Sequence, residues 1–370
     1  MATATERTTR VCITRRAGRW RLLLAALAAV LPLGACQQEG QSLPPLGARI
    51  DQTSVSGLSS GAYMAGQFQV AHSRIVVGAA IIAGGPYGCA ESLYADVMPG
   101  PGTAILNLSK AVNGCMLNGL QLLGVPNSHQ LGDRARRLAA QGRVDPLENL
   151  TDDRIYLFAG TEDRTVVPAI VAAAAAFYLE LGVPPPKIKH VTDVPAGHGF
   201  VTEDKGLGCG VSGAPYIVDC DYDQAGDLLR HIYGELAPKS AAATGQLLVF
   251  DQSEFTHDLG GHGMSTLGAA YVPADCGNGG GCRVHIAFHG CGQYRSAVGD
   301  AFTTDTGFGP WADTNRLIVL FPQAAPSPSN PQGCWDWWGY TGRDFLTKRA
   351  PQIIAVRRML ERLAGKRAMS

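Results

Sequence analysis

The chain has 370 residues with 31 basic and 31 acidic side chains, 46 glycines and 22 prolines. That is ample chain to bury a large core, in a neutral and loop-rich protein. Zero net charge argues against a nucleic-acid partner, which a basic surface would be needed to hold.

Residues 1–35 read as a lipoprotein signal peptide. Arg7, Arg10, Arg15, Arg16, Arg19 and Arg21 precede an apolar run over 22–33, and Gly34-Ala35-Cys36 follows it. A basic start, a short apolar stretch and small residues at a cleavage point make an export signal, and the run is too short to span a bilayer comfortably. Leu33-Gly34-Ala35-Cys36 resembles a bacterial lipobox. Lipidation of Cys36 would anchor the exported chain to a membrane, each buried methylene adding about 0.8 kcal/mol. Residues 36–46 then serve as a polar tether, and 47–370 as a single domain.

Within that domain, 50–56 reads as a strand and 62–73 as a helix spaced through Met64, Phe68 and Ala71. The nearly unbroken apolar run 75–83 fits a parallel strand covered on both faces. Strands follow at 155–158 and 188–194, separated by an alanine-rich helix over 168–181. Two more short strands, 283–288 and 317–321, precede a closing amphipathic helix over 351–363. Alternating strands and helices give an α/β architecture, a mostly parallel central sheet with helices on both faces.

Between the first strand and helix sits Gly57-Leu58-Ser59-Ser60-Gly61. This is the G-x-S-x-G pattern, in which a sharp strand-to-helix turn exposes a serine hydroxyl and aims the next N–H at an oxyanion. A serine needs a base and an orienting carboxylate to become a nucleophile. Asp163, in the loop directly after strand 155–158, supplies the carboxylate, with Glu162 beside it as an alternative. His198, flanked by Gly197 and Gly199 after strand 188–194, supplies the base. The order Ser, Asp, His is that of α/β-hydrolases.

A second oxyanion donor is expected at Cys291, because Phe288-His289-Gly290-Cys291-Gly292 ends a strand as the His-Gly loop of esterases does. With Ser60 it would offer two backbone N–H groups. In ordinary α/β-hydrolases that loop precedes the nucleophile, whereas here it comes far behind it. A circular permutation of the fold accounts for the order.

Ten cysteines, less Cys12 in the signal and Cys36 at the lipidation site, leave eight. An even remainder in an exported chain reads as disulfides. Taken in order they pair as Cys89–Cys115, Cys209–Cys220, Cys276–Cys282 and Cys291–Cys334. A metal site is not expected: no Cys-x-x-Cys occurs, and His257 and His262 lack an acidic cluster at ligand spacing.

Three of the five tryptophans crowd into Cys334-Trp335-Asp336-Trp337-Trp338-Gly339-Tyr340. Exposed beside a cleft, Trp335, Trp337 and Trp338 would form an apolar platform for a substrate chain. The competing reading is core packing near a disulfide.

Together, the segment 54–65 around Ser59, Phe288-His289-Gly290-Cys291-Gly292-Gln293 and the Trp335–Tyr340 segment resemble the secreted poly(3-hydroxybutyrate) depolymerases. The similar group is the single-domain type with an N-terminal lipase box and a circularly permuted α/β-hydrolase fold. The resemblance implies a triad of Ser59, Asp163 and His198, oxyanion donors Ser60 and Cys291, and tryptophan at the substrate cleft. It also implies hydrolysis of a polyester or its oligomers. No cofactor is expected, and the chain is expected to be a monomer, secreted or lipid-anchored through Cys36 at the cell envelope. A carboxylesterase of feruloyl or acetyl-xylan type and an inactive surface-binding lipoprotein are the alternatives.

Overall fold

The computed structural model describes residues 40–93, 101–123, 126–277 and 280–366. In chain order the strands are β1 (Arg49–Leu58), β2 (Val76–Ile82), β3 (Arg154–Phe158), β4 (Ile188–Val191), β5 (Phe200–Thr202), β6 (Leu207–Gly208), β7 (Ile217–Asp219), β8 (Gln246–Asp251), β9 (Leu267–Val272), β10 (Arg283–Phe288) and β11 (Leu317–Phe321). The helices are α1 (Ser60–Ala71), α2 (Pro101–Cys115), α3 (Ser128–Ala140), α4 (Pro168–Glu180), α5 (Gln224–Tyr233), α6 (Ser253–Thr256), α7 (Arg295–Val298), α8 (Ala301–Thr304), α9 (Phe308–Asn315) and α10 (Pro351–Ala364).

Eight strands form one sheet in the order β4-β3-β2-β1-β10-β11-β9-β8, parallel from β4 to β11. The β8–β9 hairpin closes it antiparallel. Reading the chain from β8 to its end and continuing at β1 gives a sheet order of first, second, fourth, third, fifth, sixth, seventh, eighth. That is the α/β-hydrolase sheet, with the strands that usually open the fold moved behind the rest. The permutation expected from the position of the His-Gly loop is therefore present in the topology. It is physically tolerable because the domain's two ends are neighbours: Leu46 and Ala48 both donate to the Leu363 carbonyl, at 3.0 and 2.9 Å.

The strands are apolar throughout because both faces are covered. Phe288 packs against Phe68 of α1, with centroids 6.3 Å apart, while His285, three residues back and so on the opposite face, lies 4.8 Å from Phe308 of α9. In β2, a Cβ at Gly78 would press on Ile232 of α5, so the small residues there let that helix approach.

All four expected disulfides are formed: Cys89–Cys115, Cys209–Cys220, Cys276–Cys282 and Cys291–Cys334. The tether expected over 36–46 needs correction in its second half. Leu43 and Leu46 are buried, and Gln41 exchanges backbone bonds with β8, donating to Val249 and accepting from Asp251. Two leucines with a core to enter are not left in water. The signal segment and Cys36 lie outside the described residues.

Candidate active site

Strand register brings the candidate residues to one edge. Gly57 is opposite Phe288, Leu58 opposite Ile82, Ile82 opposite Phe158 and Phe158 opposite Val191. The loops that follow β1, β10, β3 and β4 therefore leave the sheet at the same level, its C-terminal edge, where ligands bind in such folds.

Ser59 stands between β1 and α1 with φ 58° and ψ −119°, a conformation that a residue with a side chain adopts only when its surroundings enforce it. Its N–H donates to the Ile82 carbonyl at 2.9 Å. The turn is this tight only because of its glycines: a Cβ at Gly57 would strike the Gly61 carbonyl, and one at Gly61 the Phe288 carbonyl. Ser60 opens α1, where backbone N–H groups have no partner inside the helix.

Asp163 and His198 meet. The imidazole Nδ1 is 2.8 Å from Asp163 Oδ2, with both side chains almost wholly buried. The other carboxylate oxygen accepts the Thr165 and Val166 N–H groups at 2.8 and 2.9 Å, so the carboxylate cannot turn away. A proton on Nδ1, shared with the carboxylate, leaves Nε2 as an acceptor. Glu162, the alternative acid, is exposed and turned toward Arg164.

The two loops are fastened together. Thr161 N–H donates to Val194 and Glu162 N–H to Ala196, while Gly160 sits so close to the Ala196 carbonyl that no side chain fits. His198 is further held by its own N–H, which donates to Ser212 Oγ at 2.8 Å, and by Gly197 N–H to Cys209 O at 2.8 Å. Strands β5, β7 and β6 make the small parallel sheet beneath this loop, pinned by Cys209–Cys220.

On the other side of Ser59 lies the loop after β10. A Cβ at Gly290 would come 3.5 Å from Ser59 Cβ and 3.4 Å from the Leu58 carbonyl, so the His-Gly segment rests directly on the turn. Gln293 braces it: its Oε1 accepts Gly290 N–H at 2.8 Å, and its Nε2 donates to Pro215 and Tyr216 carbonyls at 2.9 and 3.1 Å. Tyr216 in turn meets His198 edge-on at 6.5 Å. Gln293 thus links the base loop to the loop carrying Cys291, a role that residue spacing alone does not reveal.

The exposed platform expected at Trp335, Trp337 and Trp338 is corrected: their exposures are 0%, 4% and 1%. Trp335 stands edge-on to Phe288 at 5.0 Å, and Trp337 stacks on Tyr63 at 4.7 Å. Trp338 packs on Trp337 and Tyr340. The segment winds around buried Asp336, whose carboxylate accepts N–H groups of Trp338, Gly339, Tyr340 and Thr341 and the Thr341 hydroxyl. Burial holds that carboxyl above the usual carboxylate range. Cys291–Cys334 ties this cluster to the loop after β10, so the tryptophans support the candidate site from within.

No family model matches the sequence. A poly(3-hydroxybutyrate) depolymerase of Delftia acidovorans is 39% identical over 329 residues, which are 88% of this chain but only 62% of that protein. A polyhydroxybutyrate depolymerase of Talaromyces funiculosus is 36% identical over 349 residues, covering 89% of this chain and 94% of its own length. The chain belongs to the poly(3-hydroxybutyrate) depolymerase family. Two solved structures agree: a serine-to-alanine variant of a PHB depolymerase complexed with an R3HB trimer, and PHB depolymerase from Penicillium funiculosum. Each has a TM-score of 0.76 and 34% identity, covering 88% of this chain and 99% of the other. The depolymerase family is one of carboxylic ester hydrolases, and the arrangement around Ser59 suits that chemistry.

Proposed function

We propose that the chain is an exported serine esterase that cleaves poly(3-hydroxybutyrate)-type polyester, or its oligomers, through an acyl intermediate on Ser59. The observation that carries this reading is the buried Asp163–His198 pair at 2.8 Å, set at the same sheet edge as a serine on a strained turn.

In the first step His198 Nε2 takes the Ser59 hydroxyl proton as the oxygen attacks the ester carbonyl. The tetrahedral oxyanion is held by the Ser60 and Cys291 N–H groups, and loss of one such donor typically costs about 100- to 1000-fold in rate. The imidazolium, stabilised by Asp163, then protonates the departing hydroxyl of the shortened chain. Water, activated by the same imidazole, releases the 3-hydroxyacyl group as its acid and restores Ser59.

Four disulfides support maturation in an oxidising compartment, in keeping with a signal over 1–35 and a lipid anchor on Cys36. An anchored enzyme would act on oligomers or on polymer brought to the cell surface. The decisive experiment is product analysis after incubation with amorphous poly(3-hydroxybutyrate). Wild type should release 3-hydroxybutyrate and short oligomers and Ser59→Ala none; equal release by both would end the proposal. Fatty-acid labelling of the intact chain in cells, lost in Cys36→Ala, tests the anchor.

A further inference from the structure

Tyr216 touches both the loop that carries His198 and the loop that follows β10. Its backbone has φ 57°, a left-handed conformation that a bulky residue adopts only when its surroundings enforce it. Three hydrogen bonds do so. The Tyr216 N–H donates to the Gly213 carbonyl at 2.6 Å, and the Tyr216 carbonyl accepts from the Phe200 N–H at 2.8 Å and from Gln293 Nε2 at 3.1 Å. A glycine would meet the same requirements without strain. That a tyrosine stands here in spite of its backbone points to a task for the side chain.

The ring is half-buried and stands edge-on to the His198 imidazole, with centroids 6.5 Å apart. It also borders Gly292, the neighbour of Cys291: a Cβ there would lie 3.5 Å from Tyr216 Cε2 and 3.8 Å from the Tyr216 hydroxyl. Gly290, two residues earlier in that loop, rests on Ser59. Eight of the ten described tyrosines engage their hydroxyls in hydrogen bonds. The exceptions are Tyr294, whose ring lies against Gly333, and Tyr216. The Tyr216 hydroxyl has no partner among the described residues and is not sealed inside the protein.

A phenylalanine would cover Gly292 and His198 equally well, so packing does not account for the hydroxyl. A polyester substrate does. Apart from its hydroxyl end, such a chain offers only acceptors, its carbonyl and ester oxygens, and a site that recognises it must supply donors. In the proposed reaction His198 hands its proton to the departing alcohol, so the leaving segment passes the imidazole and the ring set edge-on to it. We propose that Tyr216 is a specificity-determining residue whose hydroxyl donates to the carbonyl of the first leaving repeat. The inference rests on the polyester reading of the site and deepens it. An ester whose alcohol carries no carbonyl gains nothing from this contact, so the hydroxyl selects polyester over simple esters.

The test compares kcat/KM of wild type and Tyr216→Phe on two substrates: the methyl ester of an (R)-3-hydroxybutyrate trimer, and p-nitrophenyl butyrate, whose leaving group has no carbonyl. The ratio of the trimer value to the p-nitrophenyl value should drop in Tyr216→Phe by about five- to tenfold, as expected for one hydrogen bond between neutral groups. Both rates are read on one preparation, so damage to folding or to the orientation of His198 lowers them together and leaves the ratio alone. An unchanged ratio, whatever the absolute rates, would overturn the proposal, as would a greater loss on p-nitrophenyl butyrate than on the trimer. In either case a wild type that cleaves the trimer keeps the polyester reading standing. A wild type that cleaves p-nitrophenyl butyrate and spares the trimer would overturn both.

Discussion

His289 and Gly290 are adjacent in sequence and joined a second time through space, with the imidazole Nδ1 2.8 Å from the Gly290 carbonyl. The other ring nitrogen accepts the Ala324 N–H at 3.0 Å, which makes Nδ1 the donor. Burial pushes the ring down to about 4, so it stays neutral. A trans peptide points its carbonyl and its N–H in opposite directions, and holding the Gly290 carbonyl therefore fixes the direction of the Cys291 N–H. His289→Phe, which keeps the bulk and removes both bonds, should lower kcat by about 100-fold with little change in KM, the signature of a lost oxyanion donor. Steady-state hydrolysis of a short-chain p-nitrophenyl ester measures it, and a change confined to KM would assign His289 to substrate binding instead.

Asp163→Asn should be far more damaging than its chemistry suggests. The Thr165 and Val166 N–H groups require an acceptor, so the amide oxygen must stay with them and the NH2 must face His198 Nδ1. That forces the ring proton onto Nε2, the wrong nitrogen for a base, and kcat should fall by about 10⁴-fold. Glu162→Gln, on an exposed side chain next door, should stay within about twofold of wild type. A large loss in Glu162→Gln would reverse the assignment of the acid.

Much of the candidate edge was legible because its residue types are dictated locally. Gly57 and Gly61 exist for a turn no other residue permits, Asp163 follows an apolar strand directly, and Gly197 and Gly199 bracket His198. What stayed hidden is fixed by contacts between distant segments. Gln293 braces Gly290 against Tyr216, and Ser212 holds the His198 backbone; neither pairing has a spacing to betray it. The tryptophans misled because composition cannot distinguish a ring facing solvent from one stacked on Tyr63 behind a disulfide. Among the elements, α10 carries a clear stripe of Ile353, Val356, Leu360 and Leu363, whereas the two-residue β6 is made only by its neighbours.

Three buried imidazoles set the acid limit of stability. His285 is held between Ser54 Oγ at 2.6 Å and Ser56 Oγ at 2.8 Å, clamping β1 to β10, and burial pushes it down to about 3. His289 and His72 are pushed to about 4, burial being the main cause in each. Groups depressed in the folded state are protonated first in the unfolded one, so stability is full above about pH 6.5 and falls as pH drops toward 4. Asp153 works in the opposite sense: burial raises it to about 8, and it withdraws stability as pH rises from about 4 to 8. Urea unfolding at pH 7 and pH 5 should give a lower midpoint at pH 5, with a net uptake of about two protons. Asp153→Asn should stabilise the chain at pH 8 and do little at pH 4, and a difference independent of pH would show that its carboxyl is ionised throughout.

The Cys209–Cys220 disulfide should matter to catalysis as well as to folding. It closes a separation of 11 residues, which constrains the unfolded chain by about 3 kcal/mol, and it holds the segment whose Cys209 carbonyl and Ser212 hydroxyl receive the Gly197 and His198 N–H groups. Without it the backbone beneath His198 loses its anchor, and small displacements of a base are costly, about 100-fold for an ångström. The double variant Cys209→Ser with Cys220→Ser should therefore lose melting temperature and also kcat, by roughly 10- to 100-fold. Cys276–Cys282 is the control. It closes a separation of 6 residues just ahead of β10, at the sheet edge away from Ser59, so its double serine variant should melt earlier with kcat intact. Calorimetric melts paired with ester hydrolysis at a temperature well below both transitions separate the two effects. Equal losses of kcat in the two variants would mean that the first disulfide acts only through global stability.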